Sequence, residues 1–388
     1  MQVSVQVSAA ALLIGTAVDP TPERTTLTEW RLVQPVVVAH LGWRSAFAVA
    51  TLNLEGLTIP DGELTAGMWG EGFVDRRHPH TYGHELVVGV TRRWSCSTGG
   101  TRCGAALVAG KGFVAFGSDD PMSRPIARFP VNHHWAQILE RAMLTGQLQA
   151  GGILLEGSIF NGDEPERPGQ WPRIARFGDS WSARGTLAPT RDVTASVSVA
   201  RVVSPEHRQG AGPLQRKVHF GLRYRARDQR LYGLLEFART SELEGFFVFR
   251  SFLAEGAWQP RRVRLYYRFE RSERPEEERL TPFRAARPHL ENSILGITRW
   301  TLHTFGVGGA IDPVARLAEV HPFVEGTFGQ VVDVGPGLFR TLDQYGTRAV
   351  RSVSVGVRVG WRMAGHRMGE YGLAPANTIS ASHHGGSR

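Results

Sequence analysis

The sequence predicts an all-β protein, a single closed antiparallel barrel that crosses a membrane. Short runs place apolar residues at every second position and polar residues between them, as in residues 193–199, 218–224, 263–269 and 353–361. A period of two is typical of strands whose two faces differ. The connections between these runs alternate between short and long. No stretch approaches the roughly 18 apolar residues that a membrane-spanning helix needs.

Composition is consistent with lipid on the outer face of such a barrel. One face of the alternating runs carries Val, Leu, Phe and Trp, whereas the other carries Arg, Ser, His and Gly. A soluble β-sandwich would also alternate, but its apolar face would point inward. The 10 Trp, 19 Phe and 45 Gly suit interfacial girdles and closely packed strands. The net charge of +9 is spread as single arginines, so nucleic acid is not an expected partner.

The alternating runs give the order of strands. We expect them near residues 30–40, 45–54, 84–94, 104–116, 134–145, 151–160, 180–188, 193–203, 216–226, 230–240, 246–256, 261–270, 292–303, 307–320 and 350–361. Short connections follow residues 40, 188, 226 and 257. The long ones cover residues 55–83, 117–133, 161–179, 204–215, 271–290 and 321–349. Short periplasmic turns and long extracellular loops are typical of outer-membrane barrels.

The N-terminal segment, residues 1–29, has two interpretations. Residues 9–17 resemble the apolar core and small-residue end of a signal peptide, but residues 1–9 contain no Lys or Arg. Val3, Val5 and Val7 alternate with polar residues, as in a strand. Barrels of this kind normally have an even number of strands. We therefore favour a first strand at residues 3–14 and about sixteen strands (14–16) in total.

The barrel is expected to occupy residues 30–361 together with this first strand. Its last strand ends at Trp361. Residues 362–388 follow, rich in Gly, Ser and His, and we expect them to form a disordered tail.

Charged residues fall out of phase with the apolar positions and should therefore face the lumen. A charge on the lipid face would cost roughly 2–4 kcal/mol at the bilayer midplane. The predicted lumen set is Arg184, Arg223, Arg225, Arg262, Arg264, Arg268, Arg358, Glu85, Glu156, Glu236 and Glu270. Such a wall predicts a water-filled passage that favours anions. The alternative is a lumen closed by Arg–Glu pairs.

A histidine-rich segment is the densest polar motif. Residues 70–85 contain His78, His80, His84 and Asp75, whose imidazole and carboxylate groups suit a divalent transition metal. The spacing matches no recognised metal motif. The alternative is a loop packed at the barrel mouth, with the histidines in hydrogen bonds. No cofactor other than this candidate metal is expected.

Four further features of the sequence bear on function. His133 and His134 are expected to open a strand, where neighbouring side chains point to opposite faces and do not easily share an ion. Residues 161–167 read as a turn, with calcium binding as a weakly signalled alternative. Cys96 and Cys103 fit a disulfide across a hairpin tip, or two free thiols. Because no G-x-S-x-G or H-E-x-x-H motif occurs, we expect no enzyme; an outer-membrane hydrolase is the least favoured function.

Several segments in order along the chain resemble a family of uncharacterised bacterial outer-membrane β-barrels. The segments are Gly70-Glu71 with 75–80 (D-R-R-H-P-H), then His133-His134, then 158–165 (S-I-F-N-G-D-E-P) and Ser204-Pro-Glu206. The resemblance covers about residues 30–309. Members usually have Gln where Arg77 stands and Asp where Thr81 stands. The resemblance implies an outer-membrane barrel, often associated with heavy-metal or copper resistance, and it implies no catalytic residues.

Together these observations predict a porin-like channel for small polar solutes or anions, with lumen arginines setting selectivity. The alternative is an outer-membrane protein that binds a metal through the histidine-rich segment. Expected partners are outer-membrane lipid and small ions or solutes, and a homo-oligomer is left open.

Overall fold

The computed structural model describes residues 3–19, 26–59, 80–96, 101–118, 120–165, 168–203, 214–226, 228, 230–277, 294–311, 318–335, 337–361 and 368–373. Sixteen antiparallel strands form a closed barrel, each strand pairing with its neighbours in sequence and β1 pairing with β16. The strands are β1 (Val3–Asp19), β2 (Leu27–Trp43), β3 (Ala46–Asn53), β4 (Gly83–Cys96), β5 (Thr101–Gly112), β6 (Arg141–Ala150), β7 (Ile153–Phe160), β8 (Ser180–Leu187), β9 (Val193–Val203), β10 (Leu214–Arg225), β11 (Leu231–Glu242), β12 (Phe247–Trp258), β13 (Val263–Glu277), β14 (Ile294–Gly309), β15 (Glu319–Asp333) and β16 (Ala349–Trp361).

The described residues also form three short α-helices, α1 (Glu55–Thr58), α2 (His133–Ala136) and α3 (Thr341–Tyr345), and three single-turn 3₁₀ helices at residues 121–123, 174–176 and 243–245. Among the described residues, no helix has the length and apolar character that crossing a bilayer requires.

The seam between β1 and β16 confirms the predicted first strand and the predicted strand number. Ala9 pairs with Trp361 and Asp19 with Arg351, in an unbroken antiparallel register. On its other edge β1 pairs with β2 from Val3 to Val18. Residues 9–17, which resemble the core of a signal peptide, are therefore part of the barrel wall.

The apolar rows face outward, as the alternation predicts. Val353 and Val355 on β16 are exposed, whereas Ser352 and Ser354 between them are buried. Exposed tryptophans lie toward both ends of the wall: Trp43, Trp94 and Trp258 near the short turns, Trp30 and Trp181 near the long loops. Two aromatic girdles flanking an apolar band are the outer surface of a transmembrane β-barrel.

Some predicted strand boundaries are wrong. The strand expected at residues 134–145 is Arg141–Ala150, because residues 133–136 form α2. Residues 307–320, expected to form one strand, instead contain the end of β14, a connection and the start of β15. Most of β15 lies in residues 321–349, which the sequence predicts as a loop. Pro322, Gly326 and Gly329 interrupt the alternation of β15, so its sequence resembles a loop.

The lumen is not uniformly polar, which differs from the predicted interior. One apolar cluster lines the inner faces of β1, β2 and β14–β16, with Leu12, Ile14 and Trp300 at its centre. It also contains Ala127 and Val131, which belong to no strand. A second cluster joins inner-wall valines such as Val87 and Val108 to residues 113–116. Both clusters exist because segments between the strands pack against the inner wall.

The main such segment is the connection between β5 and β6, residues 113–140, which we call the inward loop. The sequence predicts its central part, 117–133, as an external loop, and this is wrong: Ile126, Ala127 and Phe129 are at most 3% exposed. The end of the barrel with short turns is periplasmic in outer-membrane barrels, and the inward loop enters from the opposite end.

Candidate functional site: a lumen narrowed by its own chain

The first part of the inward loop lies along the wall formed by β7–β9. The amide of Ala115 donates a hydrogen bond to Ser158 Oγ (3.0 Å), and the amide of Gly117 donates to Ser198 Oγ (2.9 Å). The loop also pairs with its own returning end, because the amide of Val114 donates to the carbonyl of Ile138 (3.1 Å). Inward-facing serines thus satisfy loop amides that would otherwise be buried without partners.

Arg124 connects the loop to β11, two strands farther round the wall. Its guanidinium forms two hydrogen bonds with Glu236 on β11, at 3.0 and 3.1 Å, and both side chains are almost fully buried. Burial alone would lower the pKa of Arg124, but the carboxylates of Glu236 and Glu255 raise it, so the pair stays charged. His219 Nε2 lies 3.3 Å from Glu236 Oε1 on the other side.

Arg128 fixes the next turn of the loop to β13 and β15. Its guanidinium donates to Glu270 Oε1 (3.1 Å), and the amides of Ala127 and Arg128 donate to the two oxygens of Glu325 at 2.6 and 3.1 Å. Arg268 donates to the carbonyl of Arg128 (2.7 Å) and pairs with Glu255 (2.7 Å). Two wall carboxylates are therefore used to hold loop backbone and loop charge in place.

Helix α2 docks the returning part of the loop on β10, β12 and β13. The Trp135 indole donates to the carbonyl of Glu273 (2.9 Å) and stacks on Phe249. Lys217 donates to the carbonyl of His134 (2.8 Å). The expectation that His133 and His134 open a strand is wrong; they lie in the helix, with ring centroids 4.0 Å apart.

The connection between β3 and β4 also reaches into the lumen in its described parts. The carboxylate of Glu55 lies 3.1 Å from His80 Nδ1, and the carboxylate of Glu140 lies 2.5 Å from His84 Nδ1. Burial raises the pKa of Glu140, but the hydrogen bond from His84 and the nearby positive charges outweigh it and lower this pKa to about 2. His84 lies at the start of β4, and Glu140 also accepts a hydrogen bond from the amide of Thr81 (3.0 Å), so this glutamate joins the connection to the end of the inward loop.

The described residues alone do not form the predicted metal site. His80 and His84 have ring centroids 4.9 Å apart, but each Nδ1 is engaged by a glutamate. Among the described residues, no group of three or more His, Cys, Asp or Glu side chains could hold a metal ion. His78 and Asp75 lie outside the described residues.

The structure places the predicted lumen residues in several different settings. Arg184 pairs with Glu156 at 2.6 Å, and Arg268, Glu236 and Glu270 belong to the contacts that hold the inward loop. Arg223, Arg225, Arg264 and Arg358 lie in the periplasmic half of the wall. Arg262 lies just before β13, exposed in a turn. Glu85 is buried and accepts hydrogen bonds from Thr51 and from the C-terminal part of the chain.

A small cavity with both polar and apolar walls remains beside the inward loop. It has a volume of about 70 Å3 and is lined on the wall side by Arg184, Thr186, Thr194, Ser196 and Arg223. Loop residues 116–118 and residues 368–370 cover the other side. Arg223 donates to Thr194 Oγ1 (3.2 Å). The cavity brings two of the predicted lumen arginines into one space with three hydroxyl groups.

The sequence reasoning missed Arg124, Arg128 and Glu325. The two arginines lie in a connection, where no alternation assigns a side chain to the lumen. The sequence nevertheless contains one indication of a segment inside the barrel. Trp300 and Leu302 occupy inward positions of β14, and a water-filled passage gives no reason for these positions to be apolar.

Two other predictions involve the periphery of the barrel. Cys96 and Cys103 are joined by a disulfide, the first of the two alternatives that the sequence left open. In the predicted turn at residues 161–167, Asp163 lies 3.4 Å from Arg173 and Glu164 lies 2.7 Å from Arg141, so these carboxylates are paired with arginines. The arrangement does not favour calcium.

Comparison with known proteins places the fold among outer-membrane barrels. The chain is similar to an anion-selective porin from Comamonas acidovorans (TM-score 0.52, 10% identity, covering 93% of this chain and 100% of the porin). It is also similar to a loop-deletion mutant of OmpT, an outer membrane protein of Vibrio cholerae (0.52, 10%, 92% and 99%), and to Salmonella typhi OmpF (0.51, 9%, 91% and 97%). No protein-family model and no curated sequence matches the chain.

The closed barrel, its apolar outer face and this structural similarity define the class of protein. The chain is a sixteen-stranded transmembrane β-barrel with a porin-like fold, located in the bacterial outer membrane.

Proposed function

We propose that the chain is an outer-membrane channel for small polar solutes that prefers anions, and that the inward loop sets its narrowest part. The observation that carries the proposal is the chemistry of the periplasmic half of the lumen. There Arg358 donates to the carbonyl of Arg124 (2.7 Å), and Arg264 donates to the amide oxygen of Gln259 at 2.7 and 2.9 Å. Both arginines have neutral hydrogen-bond acceptors, so their charge remains available to a passing anion.

The same half of the wall adds Arg223 and Arg225. The carboxylates nearby have partners of their own: Glu255 pairs with Arg268, Glu319 lies 3.5 Å from His321, and Glu325 accepts from two amides of the inward loop. Clustered positive charge in a cleft with low-dielectric walls raises the local concentration of anions. The C. acidovorans neighbour is named as anion-selective, which agrees with the proposal at the level of fold alone. Another neighbour, OmpT of V. cholerae, is described in a trimer form (TM-score 0.51), and a homo-oligomer is proposed for this chain on that ground.

The test is the reversal potential of single channels in a planar bilayer under a salt gradient. We expect the native chain to favour chloride over potassium, and Arg264→Ala and Arg358→Ala each to shift the reversal potential toward zero. Arg351→Ala is the matched control, because Arg351 lies on the same strand as Arg358 but is 77% exposed and pairs with Asp19 near the opposite end. A control that shifts as much as Arg358→Ala, or open channels that favour potassium over chloride, would contradict the proposal.

Metal binding through residues 70–85 is a second proposal, favoured by the 4.9 Å separation of the His80 and His84 rings. Isothermal titration of the whole chain with Cu²⁺ or Zn²⁺ tests it, with His78→Ala expected to abolish binding and His321→Ala, on β15, as the control. An unchanged affinity in His78→Ala contradicts it.

A further inference from the structure

The chain turns back into the barrel after its last strand. β16 ends at Trp361 at the periplasmic end, yet Met368, Tyr371 and Leu373 are 6%, 4% and 0% exposed. We call residues 368–373 the C-terminal segment. The sequence predicts disorder for this part of the tail, and for these six residues that prediction does not hold; 362–367 and 374–388 lie outside the described residues.

Two wall side chains hold the segment at both of its ends. Glu85 Oε1 accepts hydrogen bonds from the Tyr371 hydroxyl (2.5 Å) and from the amide of Gly369 (2.9 Å). The amide group of Gln147 donates to the carbonyl of Tyr371 (3.1 Å) and accepts from the amide of Leu373 (2.9 Å). A bond from the Phe113 amide to the Tyr371 hydroxyl (3.2 Å) connects the segment to the start of the inward loop.

The shape of the wall matches these contacts. Leu373 packs between Ala106 and Leu154 on the inner face. A Cβ atom on Gly112 would lie 2.5 Å from the Tyr371 hydroxyl oxygen, so the wall leaves room for the ring only because this position is glycine. Gly372 has a φ of +61°, a left-handed conformation that glycine adopts without strain.

We propose that the C-terminal segment is an intramolecular ligand of a groove formed by β4–β7, and that it obstructs the lumen until it is released. Residues 368–370 form one side of the small cavity that Arg184 and Arg223 also line. Departure of the segment would therefore open this cavity toward the periplasmic half of the lumen. The obstruction rests on the proposed channel function, whereas the binding of the segment does not.

The experiment uses the full chain and two separate measurements. Hydrogen exchange of the Gly369 and Leu373 amides reports whether the segment is bound, and single-channel conductance reports whether it obstructs. The test variants are Tyr371→Ala/Leu373→Ala in the segment and Gln147→Ala in the wall. The matched control is Leu155→Ala, which removes the same atoms as Leu373→Ala but from the lipid face beside Leu154.

We expect the two amides to be protected in the native chain. Their exchange rate should rise roughly ten- to a hundredfold in the double variant, because burial of one leucine side chain favours the bound segment over the released one by about that factor. Conductance should increase in the double variant and in Gln147→Ala, but not in Leu155→Ala. Unprotected amides in the native chain overturn the whole proposal. Protected amides with conductance unchanged on release overturn the obstruction. If no variant conducts, the channel function fails, and hydrogen exchange still decides whether the segment is bound.

Discussion

Breaking the contact between Arg124 and Glu236 should loosen the inward loop without opening the barrel. The Arg124 side chain is 1% exposed and that of Glu236 is 0% exposed. Replacing Arg124 with Met preserves length and apolar packing but removes the guanidinium that compensates the charge of the buried Glu236 carboxylate. Removing one partner of a buried pair costs roughly 3–5 kcal/mol, because the remaining charge is uncompensated. The closed hydrogen-bonded ladder of sixteen strands does not depend on this pair.

Urea unfolding of the detergent-solubilised protein measures the cost, and limited proteolysis measures whether residues 113–140 become accessible. The variant Arg124→Met/Glu236→Leu removes both charges, so we expect it to recover most of the stability that Arg124→Met loses. Arg351→Ala, which breaks an exposed pair, should cost less than about 1 kcal/mol. The reasoning is refuted if Arg124→Met costs no more than Arg351→Ala, or if the double variant is less stable than either single variant.

Three further outcomes follow from buried contacts. Trp300→Ala should lower the unfolding free energy by roughly 3–5 kcal/mol, because it empties the centre of an apolar cluster inside the lumen; a smaller loss in urea unfolding would show that water already fills that region. The ionised Glu140 should stabilise the fold fully above pH 4.5, and this stabilisation should be lost as the pH falls toward its folded pKa of about 2. In Glu140→Gln the unfolding free energy should therefore fall less steeply between pH 4.5 and pH 2. An unchanged fall in that range contradicts the pairing of Glu140 with His84. Cys96→Ser should leave one free thiol, at Cys103, and lower the free energy of unfolding by at most roughly 2–3 kcal/mol, the chain-entropy value for so short a loop. Two free thiols in the native oxidised protein would exclude the disulfide.

The barrel itself could be predicted because it depends on local pattern. Val3, Val5 and Val7 alternate with polar residues, and an even strand number requires a strand before Trp30. Both arguments need only neighbouring residues and a count. The predictions fail where the alternation is interrupted, as in β15 around Pro322, because a strand supported by both neighbours tolerates residues that weaken its own pattern.

The occupants of the lumen could not be predicted in the same way. Arg124 and Glu236 are separated by 112 positions, and Tyr371 and Glu85 by 286, so neither pair leaves a local trace. The inward apolar positions of β1 and β14 were the available signal. Leu12 and Trp300 point into the lumen, where lipid cannot reach them, and only a segment packed inside the barrel explains why such residues are there.

The same contacts limit what lumen charge reveals about selectivity. Glu85, Glu236, Glu270 and Glu325 all face inward, but each holds a loop or tail segment in place. An arginine paired with such a carboxylate contributes little field to the passage, because the opposite charge lies within hydrogen-bond distance. A count of lumen arginines therefore overstates the attraction for anions. Only arginines whose acceptors are neutral should set it, which is why Arg264 and Arg358, and not the fully buried Arg268, are the informative positions to substitute.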